Sequence, residues 1–323
     1  MQESGSKHSI EVKRATEIQS GQQNVTHAVS SLVDSNYDEG FEVDIGYIPK
    51  TIINIVNFYY YTIYALNEEA KFSFRTATTG YYGPNHVIMV VASGVPYPQF
   101  QHSHNVWAIQ WVAEQAHKTY DYQELVGKIL VASPSGRSDK PTIGSISFRR
   151  PLPIDQADAS RTSDETAVAT LPNGLAITGN SGSDNYTIEL GASPMKIDAQ
   201  FKNNGQRFQS PDILITCARA LARLAEHGIY DIVDEAGWQF HDRDTDIIIT
   251  MHHDPQRKKI VAWTDIIGTV TAVSLNMIEK KTFVEIVGQF FKYNKKGGEK
   301  IVYGSIDFEK YVAGAQVADL AVE

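Results

Sequence analysis

Residues 41–150 and 195–310 read as two copies of one pattern, and this internal repeat constrains the fold more than any other feature of the chain. Glu124-Leu125-Val126-Gly127 is followed by Gly144-Ser145-Ile146-Ser147-Phe148. Glu285-Ile286-Val287-Gly288 is followed by Gly304-Ser305-Ile306-Asp307-Phe308. Seven identities keep their order, and the two glycines are 17 residues apart in one copy and 16 in the other. Self-similarity at a fixed spacing marks each copy as one folding module.

The match extends outward. Trp107 and Trp263 each open an apolar segment before their block. Phe41-Glu42-Val43-Asp44 and Met195-Lys196-Ile197-Asp198 each read as a short alternating strand followed by a helical segment. Each half therefore reads strand, helix, hairpin, helix, hairpin. The predicted fold class is α+β, internally duplicated, with two similar lobes, each an antiparallel sheet of β-hairpins with two packed helices. The expected organisation is a polar arm over 1–40, a first αββαββ-like lobe over 41–150, a linker with a β-hairpin over 151–192, a second lobe over 193–310 and a tail over 311–323. The arm is rich in Ser, Gln and Asn. An alternating stretch such as Ile10-Glu11-Val12 could add a strand to an open sheet edge.

Within the lobes, Pro49 suits the first turn of a helix whose apolar positions are Ile52, Ile53, Val56, Tyr60, Ile63 and Tyr64. Strands are expected over 72–78 and 86–92 around Gly80 and Gly83-Pro84-Asn85. A second helix is expected over 105–117, with Trp107 and Trp111 on one face, then strands over 125–132 and 142–148 around Pro134-Ser135-Gly136. Pro172-Asn173-Gly174 marks a hairpin turn in the linker. The clearest helix begins at Ser210-Pro211 and is expected to stop at Gly228. Its buried stripe is Ile213, Cys217, Leu221, Leu224 and Ala225, with Arg219, Arg223 and Glu226 facing outward. A hairpin around Asp242-Arg243-Asp244, a helix over 263–277 and strands over 283–293 and 300–308 complete the second lobe.

Composition narrows the function classes. The net charge is -9. An acidic chain is a poor fit to a general nucleic-acid binder. The basic runs Arg149-Arg150, Arg257-Lys258-Lys259 and Lys295-Lys296 are short and read as solvated tips. No run approaches the roughly 18 apolar residues of a membrane span, and no signal-peptide core is visible at the N-terminus. The expectation is a soluble chain, either cytoplasmic or the mature form of a secreted protein. The one cysteine, Cys217, permits no intramolecular disulfide and reads as a small buried residue.

Histidine is the first place to look for chemistry. His102-Ser103-His104 and His252-His253-Asp254 each sit at the exit of an expected hairpin. Imidazole and carboxylate together suit zinc or another transition metal, and His-x-His on a strand would place both rings on one face. Asp242, Asp244 and Asp246 alternate as in the opening of a calcium loop, but the required Gly and Glu offsets are missing. Glu124 and Glu285 recur before Val-Gly, which suits either a shared turn or a pair of catalytic carboxylates. No nucleophile elbow, phosphate loop or dinucleotide fingerprint is present, and no cofactor is implied. Tyr59-Tyr60-Tyr61 and Tyr81-Tyr82 concentrate amphipathic rings in the first lobe and read as an interface or ligand groove.

The first expectation for function is a non-catalytic binding or interaction protein that associates with itself, a capsid or filament subunit being one form. The second is an enzyme with a site between the lobes built from the His and Asp clusters. The third is a small-molecule carrier lined by the tyrosines.

Overall fold

The computed structural model describes residues 25–30, 41–71, 80–82, 88–92, 101–131, 142–150, 167–170, 175–179, 185–190, 195–227, 231–233, 237–253, 261–293 and 298–311. Asp254, the turns at 83–85, 134–136 and 172–174, the expected strand over 72–78, Gly228 and the basic runs 257–259 and 295–296 lie outside them. The fold is α+β: four helices and two antiparallel sheets are present among the described residues. Described residues within Met1–Tyr61 and Phe74–Pro153 form one compact unit, and those within Thr62–Ser73 and Ile154–Glu323 form another.

The first unit contains β1 (Val25–Ser30), β2 (Phe41–Ile52), β3 (Gly80–Tyr82), β4 (Ile88–Ala92), α2 (His102–Thr119), β5 (Gln123–Val131) and β6 (Thr142–Phe148), with the start of α1 (Ile55–Ala70). Its sheet runs β1-β2-β5-β6-β4-β3. Alternate residues face the core: Val43, Ile45, Leu125, Ile129, Ile146 and Phe148 are buried. Phe58 of α1 stacks on Phe148 at 5.1 Å between ring centroids.

The second unit contains β7 (Ala167–Thr170), β8 (Leu175–Gly179), β9 (Asn185–Leu190), β10 (Lys196–Phe201), α3 (Ser210–Leu224), β11 (Gly237–Asp242), β12 (Ile247–His253), α4 (Trp263–Lys280), β13 (Ile286–Tyr293) and β14 (Lys300–Lys310). Its sheet runs β7-β8-β9-β10-β13-β14-β12-β11. The helices pack against each other, α3 over β11 and β12 and α4 over β8 and β9. The segment 151–192 thus supplies three strands to this sheet.

Both units carry the same topology, strand for strand. The order β1-β2-β5-β6-β4-β3 corresponds to β9-β10-β13-β14-β12-β11. The hydrogen bonds correspond as well. Ile53 N–H donates to Tyr122 C=O, and Phe208 N–H to Phe283 C=O. Ile52 pairs with Gln123 across the sheet, and Arg207 with Val284. Both α2 and α4 are 18 residues long and end in a left-handed residue, Tyr120 and Lys281. Each sheet has a bulge at the same place: Ile129 opposes Gly144 but Leu130 opposes Thr142, and Phe290 opposes Gly304 but Phe291 opposes Val302. Gly304 is required there, because a Cβ would lie 2.1 Å from the His252 carbonyl oxygen.

Several expectations are corrected. Pro49 does not open a helix. It lies in the stretch of β2 between Tyr47 and Ile52 where the ladder lapses, as a residue without an N–H requires. The helix starts after Asn54, whose Oδ1 accepts from Val56 N–H at 2.9 Å. Gly80 is in strand β3, not in a turn. Trp107 and Trp263 are not counterparts, since Trp263 is the first residue of α4 and Trp107 the sixth of α2. Ser210 is the first residue of α3, which Gln209 precedes as the cap.

Candidate functional site

The histidines separate. His102 and His104 are in a helix, not a strand, and residues two apart on a helix do not share a face. His104 has a structural job: its Nδ1 accepts from Gln101 N–H at 2.9 Å and caps α2. At the matching position of α4, Asp265 Oδ2 accepts from Ala262 N–H at 3.0 Å. His252 and His253 are adjacent in β12, so their side chains point to opposite faces of the sheet. Among the described residues no group of three His, Cys, Asp or Glu is arranged to hold a metal ion.

The tyrosines also divide. Tyr59 is fully buried, edge-on to Phe58 and Tyr122, with its hydroxyl 3.3 Å from His117 Nδ1. Tyr60 and Tyr61 are half-buried and meet edge to face at 5.2 Å. Burial pushes the Tyr61 hydroxyl pKa up. Tyr81 and Tyr82 are in β3, and their side chains lie outside the described residues.

Two clusters went unread in the sequence. The first is a buried ion pair. Arg219 Nη1 donates to both Asp242 oxygens at 2.8 Å, and Arg219 Nη2 reaches Asp244 at 3.1 Å. Asp242 also accepts from Thr216 Oγ1 at 3.0 Å and from Asp244 N–H at 3.1 Å. Arg219 therefore does not face solvent, and the Asp242 end of the hairpin is not a solvated tip: Asp242 is 5% exposed. The network ties α3 to the β11–β12 turn, and both Asp242 oxygens are used within it.

The second cluster is the sheet face of the second unit that points away from α3 and α4. Period-two alternation puts Ile197, Ile286, Phe290, Ile306 and Phe308 on the helix side. Lys196, Asp198, Gln289, Phe291, Tyr293, Lys300, Val302, Asp307 and His252 fall on the other side by register. Tyr293 is 53% and Val302 39% exposed. Lys300 Nζ sits 4.5 Å from the Phe291 ring centroid and donates to Asp198. Lys196 Nζ lies 5.7 Å from the Tyr293 ring. At the other end of β14, Lys202 donates to Glu309. Burial, then the nearby Glu309 charge, pushes the Asp307 carboxyl up to about 6, against opposing pulls from Lys202 and His252. The face thus offers the exposed ring of Tyr293, two lysines and a carboxyl that titrates near neutrality, while Phe291 is fully covered. Its signal in the sequence is the alternation Val287, Gln289, Phe291, Tyr293.

Sheet edges are the third feature. Among the described residues, the first sheet has its edges in β3 and β1 and the second in β11 and β7; β1 and β7 stand at the ends opposite β3 and β11. Their sequences, Val-Thr-His-Ala-Val-Ser and Ala-Val-Ala-Thr, contain no proline, lysine, arginine or carboxylate. Among the described residues no helix is long and apolar enough to cross a membrane.

The chain matches no family model, no curated protein and no solved structure.

Proposed function

We propose that this chain is a binding protein that assembles with further copies of itself. One observation carries the reading: among the described residues the first sheet ends in β1, Val25–Ser30, a six-residue edge without the charges or prolines that block edge pairing. An unguarded edge presents a row of backbone donors and acceptors that pairs readily with another strand. The exposed face around Tyr293, Lys196 and Lys300 supplies area for a further protein or small-molecule partner. Native mass spectrometry across micromolar concentrations tests the reading. Masses at multiples of 35.9 kDa are expected. A single-chain mass at every concentration would sink it.

A second reading, an activity housed on the open face, has Asp307 and His252 in its favour. A carboxyl with its pKa near 6 beside an imidazole can exchange protons at neutral pH. A ligand that co-purifies and is lost on Asp307→Asn or His252→Ala would favour this reading over assembly.

A further inference from the structure

We propose that two copies of the chain pair through the outer edge of β1, strand against strand and antiparallel across a two-fold axis. The proposal rests on the self-association reading and names its surface.

Four described strands end the sheets: β1, β3, β7 and β11. They differ in how they resist a partner. β3 has three residues and β7 four, too short to hold much on their own. β11 has six, but it ends in Asp242, which is locked to Arg219. β1 has six residues, with no proline and no Lys, Arg, Asp or Glu. It bonds β2 on one side, and no described strand lies on its other side.

The second unit shows what that side accepts. β9 stands to β10 as β1 stands to β2, with Ile188 opposite Ile197 where Ala28 is opposite Val43. The far side of β9 is occupied by β8, antiparallel, with Ile177 opposite Ile188. The same sheet topology thus takes one more antiparallel strand at this edge. In the first unit that strand is absent among the described residues. A second copy of β1 is close to β8 in length and matches it in antiparallel direction and lack of charge. Two-fold pairing uses the same strand twice and closes the assembly at two copies, whereas pairing β1 with β7 is head-to-tail and gives a ring or an open filament.

The neighbouring strand supplies a selective test. His27 lies opposite Asp44 and Val29 opposite Glu42 in the β1–β2 ladder. Lysines at 27 and 29 would therefore face carboxylates inside the chain, keeping β1 on its own sheet. Across a two-fold β1–β1 contact the same lysines would face each other and repel.

The experiment is native mass spectrometry and size-exclusion light scattering of the full chain and of the His27→Lys/Val29→Lys double variant, with circular dichroism as the check on folding. The parent is expected at twice 35.9 kDa and the folded double variant at 35.9 kDa. A folded double variant that stays dimeric overturns the β1 contact and leaves self-association standing. A monomeric parent overturns both. His27→Cys keeps the question answerable if the double variant misfolds. A short bifunctional maleimide should link that variant into a covalent dimer and leave the parent unlinked, because Cys217 is buried. No linked dimer, at a concentration where the parent is dimeric, overturns the contact.

Discussion

The Glu285 carboxylate accepts a hydrogen bond from Lys310 N–H at 3.0 Å, so the residue that precedes β13 clasps the end of β14. The first unit has the same clasp: Glu124 Oε1 accepts from Arg150 N–H at 2.8 Å and from its Nε at 3.1 Å. Burial of Glu124 opposes its ionisation, but the Arg150 hydrogen bonds and charge outweigh it and hold its pKa below the ordinary value. The recurring glutamates are therefore structural fasteners. Removing a hydrogen-bond partner from a part-buried backbone donor costs about 1–3 kcal/mol. Glu285→Ala should lose that much in urea unfolding and Glu285→Gln less, since the amide oxygen still accepts.

Arg219 and Asp242 should be strongly coupled. Breaking one side of a buried pair leaves an uncompensated charge, at about 3–5 kcal/mol. Arg219→Ala or Asp242→Ala should each approach that loss by denaturant unfolding. The double variant Arg219→Met/Asp242→Leu should recover a large part of it. Additive losses in the double variant would show that the two side chains act separately.

Asp307 gives a pH prediction. Its folded pKa of about 6 lies above that of an unfolded aspartate, so the folded chain holds the extra proton between the two values. Its contribution to stability is full at the acid end and is lost as pH rises through about 6. Asp307→Asn should leave melting at pH 4 nearly unchanged and raise the melting temperature at pH 8 relative to the parent. An equal shift at both pH values would contradict the assignment.

Gly304 should tolerate no side chain. The atom a Cβ would strike is the His252 carbonyl oxygen, part of the backbone, which cannot swing away. At Gly288 the closest neighbour would be Ile306 Cγ2 at 3.1 Å, a side-chain atom with some freedom. Overpacking costs about 1–3 kcal/mol, so Gly304→Ala should sit at or beyond the upper end and Gly288→Ala at the lower.

How much of this was legible in the sequence depended on whether the cause was local. The repeat was visible because Gly127 and Gly288 occupy the same tight position beside a neighbouring strand, where a Cβ would lie 2.9 Å and 3.1 Å from an isoleucine Cγ2. The α3 stripe was visible because Ile213, Cys217, Leu221 and Leu224 follow helical spacing, and all four are fully buried. Arg219 was misread because its partner is Asp242, 23 positions away, which no helical wheel contains. Pro49 was misread because a proline that opens a helix and one that interrupts a strand ladder look alike without the partner strand. His104 looked like a metal ligand because its counterpart is Asp265, and two residue types can serve one capping role without leaving an identity to find.

The bulge between Phe290 and Phe291 carries one more implication. Tyr303 is the extra residue there, between Gly304 opposite Phe290 and Val302 opposite Phe291. Because the bulge absorbs that residue, Lys300 and Val302 stay opposite Tyr293 and Phe291 and point with them, away from α3 and α4. Deleting Tyr303 would leave Val302 opposite Phe291 and Lys300 opposite Tyr293, on the same face as before, and would turn β14 into an unbroken ladder partner of β13. The bulge is thus a point where β14 can gain or lose one residue while the open face keeps the same side chains.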